Sequence, residues 1–243
     1  AVYHVMSKTC LQGFPLDAVE KDHFLGVLNR FSAIYFAEIL GFCIMGNHFH
    51  LLVRMPPMSA ITDEMLVERY LSVFNAKTLP NSTRLNELRQ KWTSLSEFIG
   101  DIKQTFSRGH NKRHNRQGTL WTERFKSVIV EDGRTLVNCL AYIDLNPIRA
   151  GIKERPEDYR WCSLGYHLQA DNANKLLSLD FGMLEWNIDD PAERLRLYRE
   201  YVYRTGAVDR GKGVISKREL ARAESTNFKY SRTDRFILRV SWY

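Results

Sequence analysis

Around Gly46-Asn47 the chain can hardly avoid turning back on itself. Apolar residues run from 39 to 45 before that pair and from 51 to 55 after it. Residues 38–45 and 48–55 are therefore predicted as the two strands of a hairpin. A hairpin commits the chain to a sheet, and the pleat sends successive side chains to opposite faces. His48 and His50 then point one way, one strand step apart. Phe49, Leu51, Val53 and Met55 offer a core face the other way. Two adjacent imidazoles can share a divalent ion. Two ligands do not complete a site, however, and the pair alone reads equally well as a polar strand face.

The flanking sequence extends the sheet. Residues 2–9 are apolar and β-prone, Gln12-Gly13-Phe14-Pro15 breaks that strand, and Asp17 with Glu20 forms a D-x-x-E capping box for a helix reaching about residue 36. Pro56-Pro57 closes the third strand. Helices are predicted over 59–76, weakly over 81–89, and over 94–110, where Leu95, Phe98, Ile99, Ile102 and Phe106 make one stripe. A basic tract, 110–116, follows, with His110 and His114 read as phosphate or solvent contacts. Alternation at 120–130 predicts another strand, and 134–145 a helix with Leu136, Leu140 and Ile143 inward. Tyr142 and Asn146 share a different side of it, one turn apart, and Pro147 ends it at about Asn146.

This order predicts the α+β class: a ferredoxin-like antiparallel sheet with helices packed on one face, plus a C-terminal appendage. The expected division is a main domain over 1–170 and a mainly helical, basic appendage over 171–243. Within the latter, 192–204 and 216–224 read as helices and 232–243 as a strand.

Composition narrows the function classes. No apolar run reaches ten residues, which excludes a helical membrane span. Residues 1–5 already read as a strand, so no signal peptide is visible, and a cytoplasmic, nucleoid-associated location is expected. The start without Met and the end at Ser241-Trp242-Tyr243, inside an alternating stretch, predict trimming at both ends. Cys10, Cys43, Cys139 and Cys162 lack paired spacing and read as reduced thiols, not a zinc site or disulfide framework. The net charge of +7 is concentrated in two stretches. Residues 103–126 carry seven Lys/Arg against one acid, and 210–239 carry nine against three. Two basic stretches on an otherwise mildly acidic chain look like footprints for a polyanion, although each alone also fits a solvated face.

Tyr142 and Asn146 supply what the histidine pair lacks. A phenol is a poor nucleophile at neutral pH unless a metal neutralises its electrophile. Attack on a phosphodiester would store the bond energy as a phosphotyrosine, so that a later hydroxyl could rejoin strands. An Asn carbonyl beside two neutral imidazoles would leave a cation its full charge. Alone, Tyr142 also reads as a core-edge tyrosine and Asn146 as a helix stop.

Taken together, these segments resemble a known family. Met45-Gly46-Asn47-His48-Phe49-His50-Leu51-Leu52 resembles the His-hydrophobe-His motif of HUH single-strand endonucleases. Tyr142-Ile143-Asp144-Leu145-Asn146-Pro147-Ile148-Arg149-Ala150-Gly151 is similar to the nucleophile segment of their single-tyrosine transposase branch. With Tyr3-His4-Val5-Met6-Ser7 and Leu120-Trp121-Thr122-Glu123-Arg124-Phe125-Lys126-Ser127, the order is that of REP-associated tyrosine transposases, over about residues 2–168.

The resemblance implies Tyr142 as nucleophile, His48 and His50 as metal ligands, and Asn146 in the third-ligand position, where related mobile-element transposases usually have Gln. It implies Mg²⁺ or Mn²⁺, and as substrate single-stranded DNA with palindromic hairpins near a tetranucleotide guide. The expected function is a metal-dependent single-stranded DNA endonuclease and strand transferase acting through a covalent 5′-phosphotyrosine. The alternative is a domesticated, non-catalytic hairpin-DNA-binding protein. A histidine-triad nucleotide hydrolase would want a third His at position 52, which is Leu, so no nucleotide cofactor is expected. Lys103, Arg108, Lys112, Arg113 and Arg116 are the expected hairpin-phosphate contacts. Arg124 and Lys126 are expected near the scissile region. Trp121 and Phe125 either stack on bases or complete the core. His4 either faces the site from the first strand or is a hydrogen-bonded core histidine. A monomer is favoured over a homodimer.

Overall fold

In the computed structural model, which describes residues 1–181, 188–209 and 211–230, strand β1 (Val2–Lys8) is paired on both edges. Its partners are β3 (His48–Arg54) and β4 (Lys126–Val130), both antiparallel, and β2 (Glu38–Ile44) lies outside β3. The order β2-β3-β1-β4 is that of a ferredoxin-like sheet. The expected α+β architecture is the observed one.

The alternation read from the hairpin survives in the register. Met6 stands opposite His50 and Lys126, and Ser7 opposite Phe49. Helix α1 (Ala18–Ile34) begins where predicted, with the Asp17 side chain accepting from the Glu20 amide at 2.9 Å. Helices α2 (Asp63–Phe74), α3 (Ser82–Trp92) and α4 (Leu95–Arg113) follow the hairpin, capped by Thr62, Asn81 and Ser94. Phe24 of α1 meets Phe49 at 4.8 Å and Phe106 of α4 at 5.2 Å, between ring centroids, and Phe49 meets Trp121 at 5.5 Å. This is the core on the face opposite His48, and each such ring contributes on the order of 2 kcal/mol by burial.

Two helical readings needed adjustment. The helix expected over 59–76 starts at Asp63, after a single 3₁₀ turn at Met58–Ala60, because Thr62 caps it. The helix expected to end at about residue 110 runs on into the basic tract as far as Arg113. What carries α4 on is Glu20. Instead of completing the capping box, its buried carboxylate takes Arg113 at 2.7 and 2.8 Å and His114 at 2.9 Å.

The chain divides into two compact units. One is Ala1–Leu40 with Ile44–Glu131, and the other is Gly41–Cys43 with Asp132–Tyr243, within the described residues. The second unit is built on α5 (Arg134–Asp144), α6 (Asn146–Arg149), α7 (Ser163–Ala170), α8 (Pro191–Gly206) and α9 (Lys217–Ser225). Gly41 has to be glycine there. A β-carbon would come within 2.5 Å of Leu140 and 2.8 Å of Ser163 Oγ. That hydroxyl accepts from the Phe42 amide at 2.7 Å and donates to its carbonyl at 3.0 Å. The helix carrying Tyr142 does stop where Pro147 predicts, but only for one residue. Leu145 caps α5 and α6 restarts at once, with the proline in its first turn, where an amide hydrogen is not needed. The predicted strand over 232–243 lies outside the described residues. Among the described residues no helix is long and apolar enough to cross a membrane.

Candidate functional site

His48 and His50 share a sheet face in the first unit, as strand alternation requires. Their rings meet edge to face, with centroids 5.2 Å apart and planes at 88°. His48 Nδ1 lies 2.8 Å from Asn47 Oδ1, and His50 Nδ1 lies 3.0 Å from His4 Nε2. Burial lowers the pKa of His48, helped by Lys8 nearby. Burial takes His50 further down, to about 3, with His48 and His4 adding to it. Burial also lowers His4. The pair is thus two neutral imidazoles at physiological pH, the form that ligates metal. His4, left open between site and core, does face His50.

Tyr142 and Asn146 sit in the second unit, at the α5–α6 junction. The phenol is 42% exposed, and the Arg149 guanidinium stands 4.9 Å from its ring centroid. Tyr142 lines a pocket with Arg149, Thr205, Lys212 and Gly213. Asn146 Nδ2 donates to the carbonyls of Tyr142 at 3.0 Å and Ile143 at 3.1 Å. Those bonds tie the amide to its own helix and leave Oδ1, the atom a metal would take, on the opposite edge of the group. The two neutral imidazoles of the first unit are nitrogen donors of the kind that fit a borderline divalent ion, and the Asn146 amide oxygen is a hard donor of the second unit.

Asp144, two residues from Tyr142, is fully buried. It accepts from the Leu164 amide at 3.0 Å and from the Tyr198 hydroxyl, and burial pushes its carboxyl up to about 6.

A second metal-competent group was not anticipated. Ligand atoms of Glu20, His110 and His114 all lie within 4.8 Å of one another. The two histidines had been assigned to phosphate or solvent, yet His110 is buried and stacked on His114 at 4.3 Å. Both Glu20 oxygens already serve Arg113, so the cluster works first as an ion-paired knot between α1 and α4.

The basic residues divide in two. Arg108, Lys112 and Arg124 are exposed, and Lys126 is exposed beside Glu123 at 3.1 Å. Lys103 is turned inward. It donates to the Glu123 carbonyl at 2.8 Å, lies 5.3 Å from the Trp121 ring centre, and is brought down to about 8 by burial. Arg113 holds Glu20, and Arg116 donates to Asn111 and to the Thr119 carbonyl, both at 3.0 Å. Trp121 is buried in the core. Sequence reasoning missed Asn47, read only as a turn residue, and Lys212, which no motif marks. Asn47 had one usable signal, its place directly before the first histidine.

A curated protein of Haemophilus influenzae, described as a putative REP-associated tyrosine transposase, is 25% identical over 161 residues. These cover 62% of this chain and 76% of that protein. The chain is similar to the REP-associated tyrosine transposases. No family model matches it. A solved structure of a REP-associated tyrosine transposase bound to a REP hairpin overlaps it with a TM-score of 0.47 at 14% identity, covering 74% of this chain and 83% of that one. Agreement that loose decides nothing about function.

Proposed function

We propose that the chain is a single-stranded DNA endonuclease and strand transferase acting at palindromic, REP-type hairpins. The reading rests on the similarity above and, within the molecule, on Tyr142. It is an accessible phenol whose pocket also holds Arg149 and Lys212, two cations suited to a phosphodiester. The phenol oxygen attacks the scissile phosphorus. The bond to the 3′ oxygen breaks, that oxygen leaves as a hydroxyl carrying the proton given up by the phenol, and the 5′ phosphate stays on Tyr142. Arg149 and Lys212 hold the anionic phosphate against the ring. His48, His50 and Asn146 would hold Mg²⁺ or Mn²⁺, which when bound supplies Lewis-acid polarisation of a non-bridging oxygen. Arg108 and Lys112 contact hairpin phosphates, and Arg124 and Lys126 hold the scissile region. The residues with chemical roles fall within 1–170, except Lys212, and 171–243 serves them as a helical, basic appendage. The protein acts as a monomer at the nucleoid.

Labelled hairpin single strands incubated with Mn²⁺ should yield a covalent adduct on denaturing gels. Tyr142→Phe should abolish adduct and cleavage while hairpin binding stays within about twofold, since one hydroxyl adds little to phosphate-driven affinity. Cleavage that persists in that variant would overturn the assignment. Binding with no adduct from the unaltered chain would leave a hairpin-binding protein without catalysis.

A further inference from the structure

A neutral imidazole carries one proton, on Nδ1 or on Nε2, and only the other nitrogen can coordinate a cation. Each ring has a neighbour in the first unit within hydrogen-bond distance of its Nδ1. His48 Nδ1 lies 2.8 Å from Asn47 Oδ1. A carboxamide oxygen only accepts, so the proton sits on Nδ1 and the His48 lone pair on Nε2. Asn47 is itself held in place, because its carbonyl accepts from the Thr9 amide at 2.8 Å and from the Thr9 hydroxyl at 3.2 Å.

His50 is handled from the other side. His4 stands opposite Leu52 and reaches His50 diagonally across the β1–β3 ladder. The two rings are 23° from coplanar, with centroids 5.2 Å apart and nitrogens 3.0 Å apart. They meet edge to edge through His4 Nε2 and His50 Nδ1, the geometry of an in-plane hydrogen bond. With the proton on His50 Nδ1, the His50 lone pair also lies on Nε2.

We propose that His4 and Asn47 are positioning residues that fix His50 and His48 as Nδ1–H tautomers, so that both rings present Nε2 to one divalent cation. The inference builds on the metal pair proposed above. Free histidine favours the opposite tautomer, so a ring without such a partner presents the wrong nitrogen. Partners of this kind typically change metal affinity by 10- to 100-fold.

Long-range ¹H–¹⁵N NMR correlations on the metal-free chain read the tautomers directly. The expected result is Nδ1–H for both His48 and His50. His4→Phe should return His50 to Nε2–H and leave His48 alone, and Asn47→Ala should do the reverse. Mn²⁺ affinity, followed by the EPR signal of free Mn²⁺, should fall about 10- to 100-fold in each variant. His4→Gln, whose carboxamide oxygen can accept the same hydrogen bond, should recover most of it. Nε2–H on either ring of the unaltered chain overturns the proposal without need of any variant, as does a His50 tautomer indifferent to His4→Phe. Undiminished Mn²⁺ affinity in both His48→Ala and His50→Ala would instead refute the metal pair, while the NMR result still decides the tautomers.

Discussion

Asp144 lies two residues from Tyr142, but its chemistry is structural. Burial raises its carboxyl from 3.8 to about 6, against the pull of its bonds from Tyr198 and the Leu164 amide. Between those values the native chain holds a proton that the unfolded chain releases. The contribution of Asp144 to stability is therefore fullest below pH 4 and is lost as pH rises through 6. Asp144→Asn cannot ionise. Relative to the unaltered chain its stability should rise by on the order of 3 kcal/mol between pH 4 and pH 8, measured by urea unfolding. Parallel pH profiles would show that the carboxyl is not strained. At this scale the sequence was a mixed guide. It marked His48, His50 and Tyr142 through spacing and chemistry, but gave no sign that Asp144 is buried, because nothing local tells that α7 and α8 will close over it.

Among the elements, the join between α1 and α4 is the clearest case of a tie that no local pattern reveals. Glu20 and Arg113 are 93 residues apart. Burial alone would raise the Glu20 pKa, yet its bonds to Arg113 and His114 bring it below the usual value. Its stabilising share is thus present above the unfolded carboxylate range and lost as pH falls through its lowered native value. Arg113→Ala would leave the buried carboxylate with His114 alone of these two partners and should cost about 1 to 3 kcal/mol. Glu20→Gln with Arg113→Ala should recover part of that. Full additivity of the two losses in denaturant titrations would refute a direct coupling. The first three strands, by contrast, were readable nearly to the residue, since period-two alternation and the Gly46-Asn47 turn are local, whereas of the strand expected over 120–130 only Lys126–Val130 forms. The helices at 59–76 and beyond 110 were misjudged at their ends, where a capping threonine in one case and a distant carboxylate in the other decide the boundary.

For the whole molecule, charge was legible in the sequence but its direction was not. The stretch 103–126 looked like one basic footprint, but folding turns Lys103, Arg113 and Arg116 toward backbone, carboxylate and amide partners and leaves Arg108, Lys112 and Arg124 outward. Two kinds of cation should separate experimentally. Arg108→Ala, Lys112→Ala and Arg124→Ala should each lower the slope of log affinity for hairpin DNA against log salt by about 0.7 to 0.9. Lys103→Ala and Arg116→Ala should lower thermal stability with little change in slope. Equal slope changes in both sets, by fluorescence anisotropy across a salt series, would mean that the inward group also reaches DNA.

The register of β1 against β3 carries a last consequence. His4 reaches His50 only because the Met6–His50 pair sets the ladder and Asn47 is fastened to Thr9 at its end. Side chains alternate by one residue, so a single inserted residue between His4 and Thr9 would turn His4 to the opposite face while leaving every amino acid in place. The spacing of this short opening segment is thus under tighter constraint than the identity of most of its members. Drift in such a chain should spare its length there long after its composition has changed.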